Sequence, residues 1–112
     1  MKLTWLGHAC FRIEHNDNVM YIDPFISENP VSPIEVEDAY DADWVLVTHG
    51  HHDHYGDAVE VAKNSGATVA SVFEITEDAD EQGVDNIEPM NIGGSVQNGD
   101  LTLHMTNAQH SS

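Results

Sequence analysis

Alternating apolar and polar residues in the first part of the chain predict three short β-strands. The alternating segments are residues 2–6, 10–14 and 19–22. A period of two places successive side chains on opposite faces of a sheet, so each segment can bury one face. An Asn-Asp-Asn turn at 16–18 joins the last two segments. Residues 10–22 are therefore predicted to form a hairpin.

The middle of the chain predicts buried strands separated by helices. Residues 43–47 and 67–72 are mainly apolar, which is typical of short strands buried on both faces of a sheet. A helix is predicted from Gly56-Asp57 to about Asn64, where Ser65-Gly66 ends it. A second, acidic helix is predicted over 74–82.

Turn-forming and helix-breaking residues define the remaining segments. Residues 26–42 contain two prolines and little periodicity, so a loop with one helical turn is expected. Residues 88–90, Glu-Pro-Met, are expected to break any regular element. An Asn-Gly pair at 98–99 predicts a hairpin between 95–97 and 101–106. This order of elements predicts an α/β domain in which helices pack on a sheet.

The composition excludes some partners and predicts a location. The chain has 112 residues, enough for one small domain, with 20 acidic and 3 basic residues and a formal charge of -17. Nucleic acid and anionic membrane surfaces are excluded, because both attract basic proteins. Such acidity resembles that of proteins from salt-in halophiles. Cys10 is the single cysteine, and no signal peptide or membrane span is visible, so the cytoplasm is the expected location.

A cluster of histidines predicts a metal site. Four of the eight histidines lie in the segment 49–54, directly after an apolar strand. Imidazole and carboxylate are both metal ligands. His49 and His51, two residues apart on an extended segment, can point to one ion, while Asp53 and His54 can face a second. Two ions about 3.5–4 Å apart can activate a bridging hydroxide.

The spacing within this cluster resembles a known signature. The pattern His49-x-His51-x-Asp53-His54 is similar to the H-x-H-x-D-H motif of the metallo-β-lactamase fold superfamily. Four segments, one of which contains the cluster, resemble more narrowly the UPF0173 and ascorbate-6-phosphate lactonase-like metal-dependent hydrolases. These segments are residues 6–9, 21–25, 48–57 and 107–112.

The resemblance implies a ligand set and a fold. His49, His51 and His110 would bind a first metal, and Asp53 and His54 a second, while His52 occupies a variable position. The family adds a bridging Asp and another His from a second half of the domain. Residues 1–112 are therefore expected to form the N-terminal portion of a single metallo-hydrolase domain. The expected fold is half of an αββα sandwich, with helices on one face of a sheet.

The resemblance also implies an activity. A metal-dependent hydrolase would use metal-activated hydroxide to attack an ester, lactone or phosphoester of a small-molecule substrate, with Asp53 orienting the water. Zinc is the expected metal, as one or two ions, and manganese or iron would also tolerate the mixed ligands. A 112-residue portion could be inactive by itself. The alternative is a non-catalytic metal-binding module, paired with a second copy or with a C-terminal half, and a designed half-domain fragment is a third interpretation.

Several side chains have two interpretations each. The histidine segment could be a solvated loop, Asp53 a turn residue, and His110 a solvated terminal residue. His8 either lines the site or is an ordinary hydrogen-bonded histidine. Asp23 either orients a metal ligand or belongs to a plain turn. His15 and His104 are assigned no role, and the acidic segment 74–81 is interpreted as a solvated helix face.

Overall fold

The computed structural model describes residues 1–107. Within that range the chain forms a six-stranded sheet, a separate two-stranded hairpin, three α-helices and one 3-10 turn. The strands are β1 (Lys2–Trp5), β2 (Phe11–His15), β3 (Asn18–Ile22), β4 (Trp44–Leu46), β5 (Thr68–Val72), β6 (Ile87–Met90), β7 (Ser95–Asn98) and β8 (Leu101–His104). The helices are α1 (His52–Tyr55), α2 (Ala58–Ser65) and α3 (Phe73–Glu81), and the 3-10 turn lies at Val36–Ala39.

The sheet combines an antiparallel part with a parallel part. Its strand order is β1-β2-β3-β4-β5-β6; the first three strands pair antiparallel, and β3 to β6 pair parallel. Two adjacent parallel strands need a crossover connection between them. The helix α2 lies in the crossover from β4 to β5, and α3 lies in the crossover from β5 to β6. Because β3, β4 and β5 run in one direction, their carboxyl ends lie at the same edge of the sheet. Loops that leave this edge can therefore share one site.

The central strands of the sheet are buried on both faces by different partners. Val45 and Val69 are fully buried on the face that packs against the helices, together with Val61 of α2. On the opposite face, Trp44 of β4 packs in a second cluster with Leu101 of the β7–β8 hairpin. The alternation of Trp44 and Val45 in β4 agrees with the prediction of a strand buried on both faces. The mixed α/β architecture, with helices on one face of the sheet, is the predicted fold class.

One strip of the second face is uncovered within residues 1–107. Leu3 pairs with Ile13, Ile13 with Met20, and Met20 with Trp44, so all four side chains lie on this face. The hairpin covers the middle of the face, where Met20 and Trp44 are buried. Leu3 and Trp5, at the β1 edge, remain 61% and 64% exposed.

The prediction that residues 88–90 break regular structure was wrong. Ile87–Met90 forms β6, which pairs parallel with β5 and places Pro89 opposite Ser71. Proline cannot donate a hydrogen bond to a neighbouring strand, but within residues 1–107 β6 has only one neighbour in the sheet. The absent N–H of Pro89 is tolerated because it lies in an edge strand.

Most other elements match their predictions. The hairpin over 10–22, the helical turn within 26–42 and the hairpin at Asn98-Gly99 are all confirmed. The acidic helix begins one residue early, at Phe73, and the short helix α1 replaces part of an expected loop. Within residues 1–107, no helix has the length and apolar character needed to cross a bilayer.

Cys10 is a small buried apolar residue, as the sequence predicted. Its side chain has no exposed surface. Burial raises the pKa of the thiol to about 12, because the thiolate is poorly solvated in the core, and this outweighs a backbone hydrogen bond at Phe25 that lowers the pKa. The thiolate that nucleophilic chemistry requires is therefore scarce at neutral pH.

Candidate metal centre

The predicted site residues lie in loops at the carboxyl ends of β3 and β4. Asp23 follows β3 directly, and Thr48 and His49 follow β4 after one further residue. His51 precedes α1, which carries the remaining residues of the cluster. The parallel pairing of β3 with β4 thus brings together segments that are 25 residues apart in the sequence.

Two contacts fix α1, one with the loop that follows β3 and one with α3. Gly56 ends α1 with a φ of +34°, and a Cβ at this position would lie 2.7 Å from the carbonyl oxygen of Pro24. Only glycine allows so close an approach of the two backbones. Tyr55 of α1 donates a hydrogen bond of 2.8 Å to Asp78 of α3. The helix that bears Asp53 is therefore fixed at both sides.

Asp23 is the buried carboxylate beneath the cluster. It is 2% exposed and accepts hydrogen bonds from the Thr48 N–H at 2.7 Å and the Thr48 hydroxyl at 2.6 Å. His54 donates its Nδ1–H to the same carboxylate at 2.8 Å. The backbone of Asp23 has a φ of 47°, in the left-handed region that few residues other than glycine adopt readily. These contacts favour the interpretation that Asp23 orients a ligand over that of a plain turn residue.

The hydrogen bonds also fix the ring tautomers of His49 and His54. A carboxylate only accepts, so His54 carries its proton on Nδ1 and presents Nε2 for coordination. The Thr48 hydroxyl gives its proton to Asp23 and therefore accepts at 2.8 Å from Nδ1 of His49. His49 then also presents Nε2. Such anchoring of Nδ1 is usual for histidines that bind metals.

The three histidines predicted as ligands within residues 1–107 converge. The ring centroids of His49 and His54 are 4.0 Å apart, and those of His49 and His51 are 4.8 Å apart. The cluster is partly exposed, since His49 and His54 are half-buried and His51 is exposed. Potential ligand atoms of His49 and His54 lie within 4.8 Å of each other, in a group with Asp23, whereas His51 belongs to neither of the two groups found within residues 1–107.

Asp53 lies at one side of this cluster and contacts His8. Its Oδ2 is 3.2 Å from Nε2 of His8, and its Oδ1 is 3.8 Å from Nε2 of His54. The ring of His8 also packs edge-on against the rings of His54 and Phe25, at centroid distances of 5.1 and 5.8 Å. His8 thus lines the site, which is the first of its two interpretations.

The remaining histidines have other surroundings. His52 contacts Glu28 and the ring of Phe25. His104 is 2.6 Å from the hydroxyl of Ser95. His110, the predicted third ligand of the first metal, lies outside the described residues, so its role stays a prediction.

The donor set fits a divalent ion. Within residues 1–107, two groups have potential ligand atoms within 4.8 Å of one another. One group is Asp23, His49 and His54, and the other is His8, Asp53 and His54. Imidazole nitrogens with carboxylate oxygens suit zinc, and also manganese or iron. The sequence did not predict the role of Thr48, which links Asp23 to His49. The only sequence feature that pointed to this role was a hydroxyl residue directly before the first histidine of the cluster.

A cavity of about 270 Å³ adjoins Thr48. It lies between the second face of the sheet and β8. Its walls are mainly apolar, and its polar lining residues are Thr48, His104 and Thr106. The lining includes Ile22, Leu46, Val47, Ala70, Met90 and Leu103. Its size and apolar walls suit the apolar part of a small ligand, and Thr48 is the residue of the site that lines it.

Comparison with known proteins identifies a family. Residues 2–112 match the family described as the beta-lactamase superfamily domain. The chain is 49% identical to a UPF0173 metal-dependent hydrolase of Methanopyrus kandleri over 112 residues, which is 100% of this chain and 48% of the relative. It is 46% identical to another of Thermoplasma volcanium, covering 100% of this chain and 49% of that relative. The chain thus spans about half the length of the curated relatives it matches.

Solved structures agree with this match. Igni18, described as a novel metallo hydrolase from Ignicoccus hospitalis, superposes with a TM-score of 0.88 at 38% identity, over 98% of this chain and 49% of that chain. The metallo-β-lactamase SMB-1 gives a TM-score of 0.65 at 17% identity, over 89% of this chain and 48% of that one, which shows the fold alone. The halophilic origin and the lactonase-like branch stay predictions. The chain belongs to the beta-lactamase superfamily, and its similar relatives are named UPF0173 metal-dependent hydrolases.

Proposed function

We propose that the intact protein carrying this chain is a metal-dependent hydrolase of small-molecule esters or lactones. The observation that carries the proposal is the convergence of His49 and His54 on the buried carboxylate of Asp23, with the ring of His51 4.8 Å from that of His49. The names of the relatives support the same reaction class. Because the chain covers only about half of those relatives, the activity is proposed for the intact protein.

In this proposal the histidines and Asp53 hold one or two divalent ions, with zinc as the proposed metal. His49, His51 and His110 bind the first, and Asp53 and His54 bind the second. A divalent ion in such a site supplies a nucleophile at neutral pH, because it lowers the pKa of water to about 7, and it polarises the bond to be cleaved.

The other polar residues have supporting roles. Asp23 and Thr48 hold the rings of His49 and His54 with Nε2 directed to the metal. Asp53, at the open side of the cluster, orients the attacking water. The apolar cavity beside Thr48 accepts the carbon skeleton of the substrate and excludes water from it.

The distribution of basic residues favours a neutral substrate over a phosphoester. The whole chain has 3 basic residues. Lys2 and Arg12 both contact Glu14. Lys63 lies on α2 near Gly83, away from the cluster. The divalent ions would therefore have to neutralise a phosphoester without help from a lysine or arginine of this chain, so we rank esters and lactones above phosphoesters.

Removal of divalent metal is expected to abolish hydrolysis by the intact protein, and re-addition is expected to restore it. The nucleophile and the polarising charge are both lost with the ion. Metal content by mass spectrometry and turnover of a neutral ester, a lactone and a phosphodiester would be measured on the same samples. Protein treated with chelator already saturated with metal is the control. Undiminished turnover in metal-free protein would contradict the proposal.

The exposed strip on β1 favours a second candidate, a metal-binding module that pairs with another copy. Leu3 and Trp5 would form the contact, since apolar surface of this kind marks interaction sites. Under this candidate the 112-residue chain sediments as a dimer, and Trp5→Ser shifts it to a monomer. Sedimentation with and without chelator would test this. A monomer under all conditions, together with turnover by the intact protein, would reject the second candidate.

A further inference from the structure

We infer that His8 is a positioning residue that holds Asp53 in the orientation needed to bind metal. The inference rests on the proposed metal centre and adds a residue that the H-x-H-x-D-H pattern does not contain. It concerns the two oxygens of Asp53, which face different neighbours. Oδ2 is 3.2 Å from Nε2 of His8, and Oδ1 is 3.8 Å from Nε2 of His54.

The distances from Asp53 to its neighbours are compatible with metal binding by one carboxylate oxygen and a supporting contact at the other. Nitrogen and oxygen ligands lie about 2.0–2.2 Å from a zinc ion, so two ligands of one ion are themselves about 3–3.5 Å apart. Oδ1 and the Nε2 atom of His54 are 3.8 Å apart, a little beyond that separation, so a small shift of the Asp53 side chain would let both bind one ion. Oδ2 and Nε2 of His8 are 3.2 Å apart, which suits a supporting contact and also falls within the range for two ligands of one ion. In a supporting contact, Nε2 of His8 carries a hydrogen that is directed to Oδ2, and the experiment below distinguishes this role from direct ligation.

Asp53 needs such a partner because packing does not fix it. Its side chain is 47% exposed, so few neighbouring atoms restrict its rotation. A metal-binding carboxylate that can rotate must lose this freedom when the ion binds, which weakens binding. A contact with His8 restricts the rotation before the ion arrives. Residues that support ligands in this way commonly affect metal affinity.

The fold holds His8 in a conformation that few residues adopt. Its backbone has a φ of 52°, in the left-handed region. Two hydrogen bonds between Leu6, Gly7 and Cys10, of 2.8 and 3.0 Å, close the turn around it. Trp5 donates its Nε1–H to the His8 carbonyl at 2.8 Å. A strained residue that the surrounding structure holds in place at a candidate site points to a functional constraint.

The test compares His8→Gly with His8→Gln in the intact protein. Glycine removes the side chain and accepts a φ of 52° without strain. Glutamine keeps an N–H donor at nearly the distance of Nε2 along the side chain, but its amide is a poor ligand for cobalt or zinc. Binding of Co²⁺ would be measured by competition titration and by the visible absorption spectrum. The ion held by Asp53 is defined as the one that Asp53→Ala loses.

For that ion, His8→Gly is expected to weaken Co²⁺ binding by about 10- to 100-fold. His8→Gln is expected to restore the affinity to within a few-fold of wild type, with an unchanged Co²⁺ spectrum. The matched control is His15→Gln, because His15 ends β2 at the opposite edge of the sheet and should leave binding unchanged. Circular dichroism and thermal unfolding would verify that each variant is folded.

Two results would overturn the inference while leaving the proposed function intact. In one, His8→Gly binds Co²⁺ as tightly as wild type. In the other, His8→Gln is as weak as His8→Gly and both show an altered spectrum, which would make His8 a direct ligand. Wild-type protein that binds no divalent ion would instead refute the proposed function, and this inference with it.

Discussion

Replacing both His49 and His51 by alanine is expected to abolish metal binding at the first site and reduce hydrolysis to background. The two side chains supply adjacent nitrogens to one ion in the proposed centre, with ring centroids 4.8 Å apart. Without them, His110 alone would remain for that ion. The loss of affinity should exceed the roughly 10- to 100-fold that typically follows loss of a residue supporting a ligand.

The double variant should still fold. His51 is exposed and His49 is half-buried, so truncating them leaves the core clusters intact. In the absence of metal we expect its free energy of unfolding to lie within about 1 kcal/mol of wild type. The stabilisation that the first ion confers on wild type should be absent from the variant, since an ion stabilises a folded protein only to the extent that the folded protein binds it.

The control comes from the same segment. His52 lies between the proposed ligands in sequence, yet its ring contacts Glu28 and Phe25. His52→Ala should therefore keep its metal content and turnover. Metal content, turnover of the best ester or lactone, and melting temperature with and without zinc would be measured for both variants. Equal turnover in wild type and the double variant would refute the hydrolase proposal.

The residues of the site differ in how far the sequence alone could predict their roles. The segment 49–54 is contiguous, so its spacing alone was enough to propose ligands. Asp23 and His8 reach the cluster from other loops, which the antiparallel and parallel registers of β1 to β4 bring together. A single sequence does not specify which strand ends meet. Asp23 and His8 therefore each kept two interpretations until their contacts were known.

Pro89 shows that the fold, too, could be predicted from the sequence only where the information is local. Local reasoning treats Glu-Pro-Met as a break, because proline cannot donate within a sheet. Whether that matters depends on the position of the strand, and β6 lies at the edge. Hairpins joined by Asn-Asp-Asn and Asn-Gly turns were predictable because their information is local. The order of strands in the sheet is set by burial of distant residues, such as Val45 and Val69, against the helices.

Asp23→Asn is expected to weaken metal binding by about 10- to 100-fold, although the new residue is nearly the same size. Asparagine tolerates the left-handed backbone of position 23, so the substitution changes chemistry more than conformation. Its amide oxygen can still accept from the Thr48 N–H. Its NH₂ group, however, would face the Thr48 hydroxyl and Nδ1 of His54. In the wild type, both of these groups donate hydrogen bonds to the Asp23 carboxylate.

The consequence for His54 is a change of tautomer. An NH₂ group beside Nδ1 favours the ring form in which Nδ1 accepts and Nε2 carries the proton. That form cannot coordinate a metal through Nε2 until the proton is moved. Thr48 must also rotate its hydroxyl, which removes the acceptor that fixes Nδ1 of His49. One substitution therefore disturbs the coordinating atoms of two proposed ligands.

A stability loss of about 1–3 kcal/mol should accompany this change, because buried donors lose a charged acceptor. Asp41→Asn is a matched control for that loss. Asp41 accepts hydrogen bonds from Arg12 and Tyr21, and precedes β4 at the opposite edge of the sheet. Burial alone would raise the pKa of Asp41, but the hydrogen bonds from Arg12 and Tyr21 hold it below its usual value. Its carboxylate therefore also stabilises the fold.

Both variants should lower the free energy of unfolding measured in urea without metal, but only Asp23→Asn should lower the affinity for zinc. Competition titration with a zinc chelator gives the affinity, and histidine ¹⁵N chemical shifts report the tautomer of His54. The expected result is a His54 ring protonated at Nε2 in Asp23→Asn and at Nδ1 in Asp41→Asn. Equal zinc affinities, or an unchanged His54 tautomer, would show that Asp23 supports only the fold.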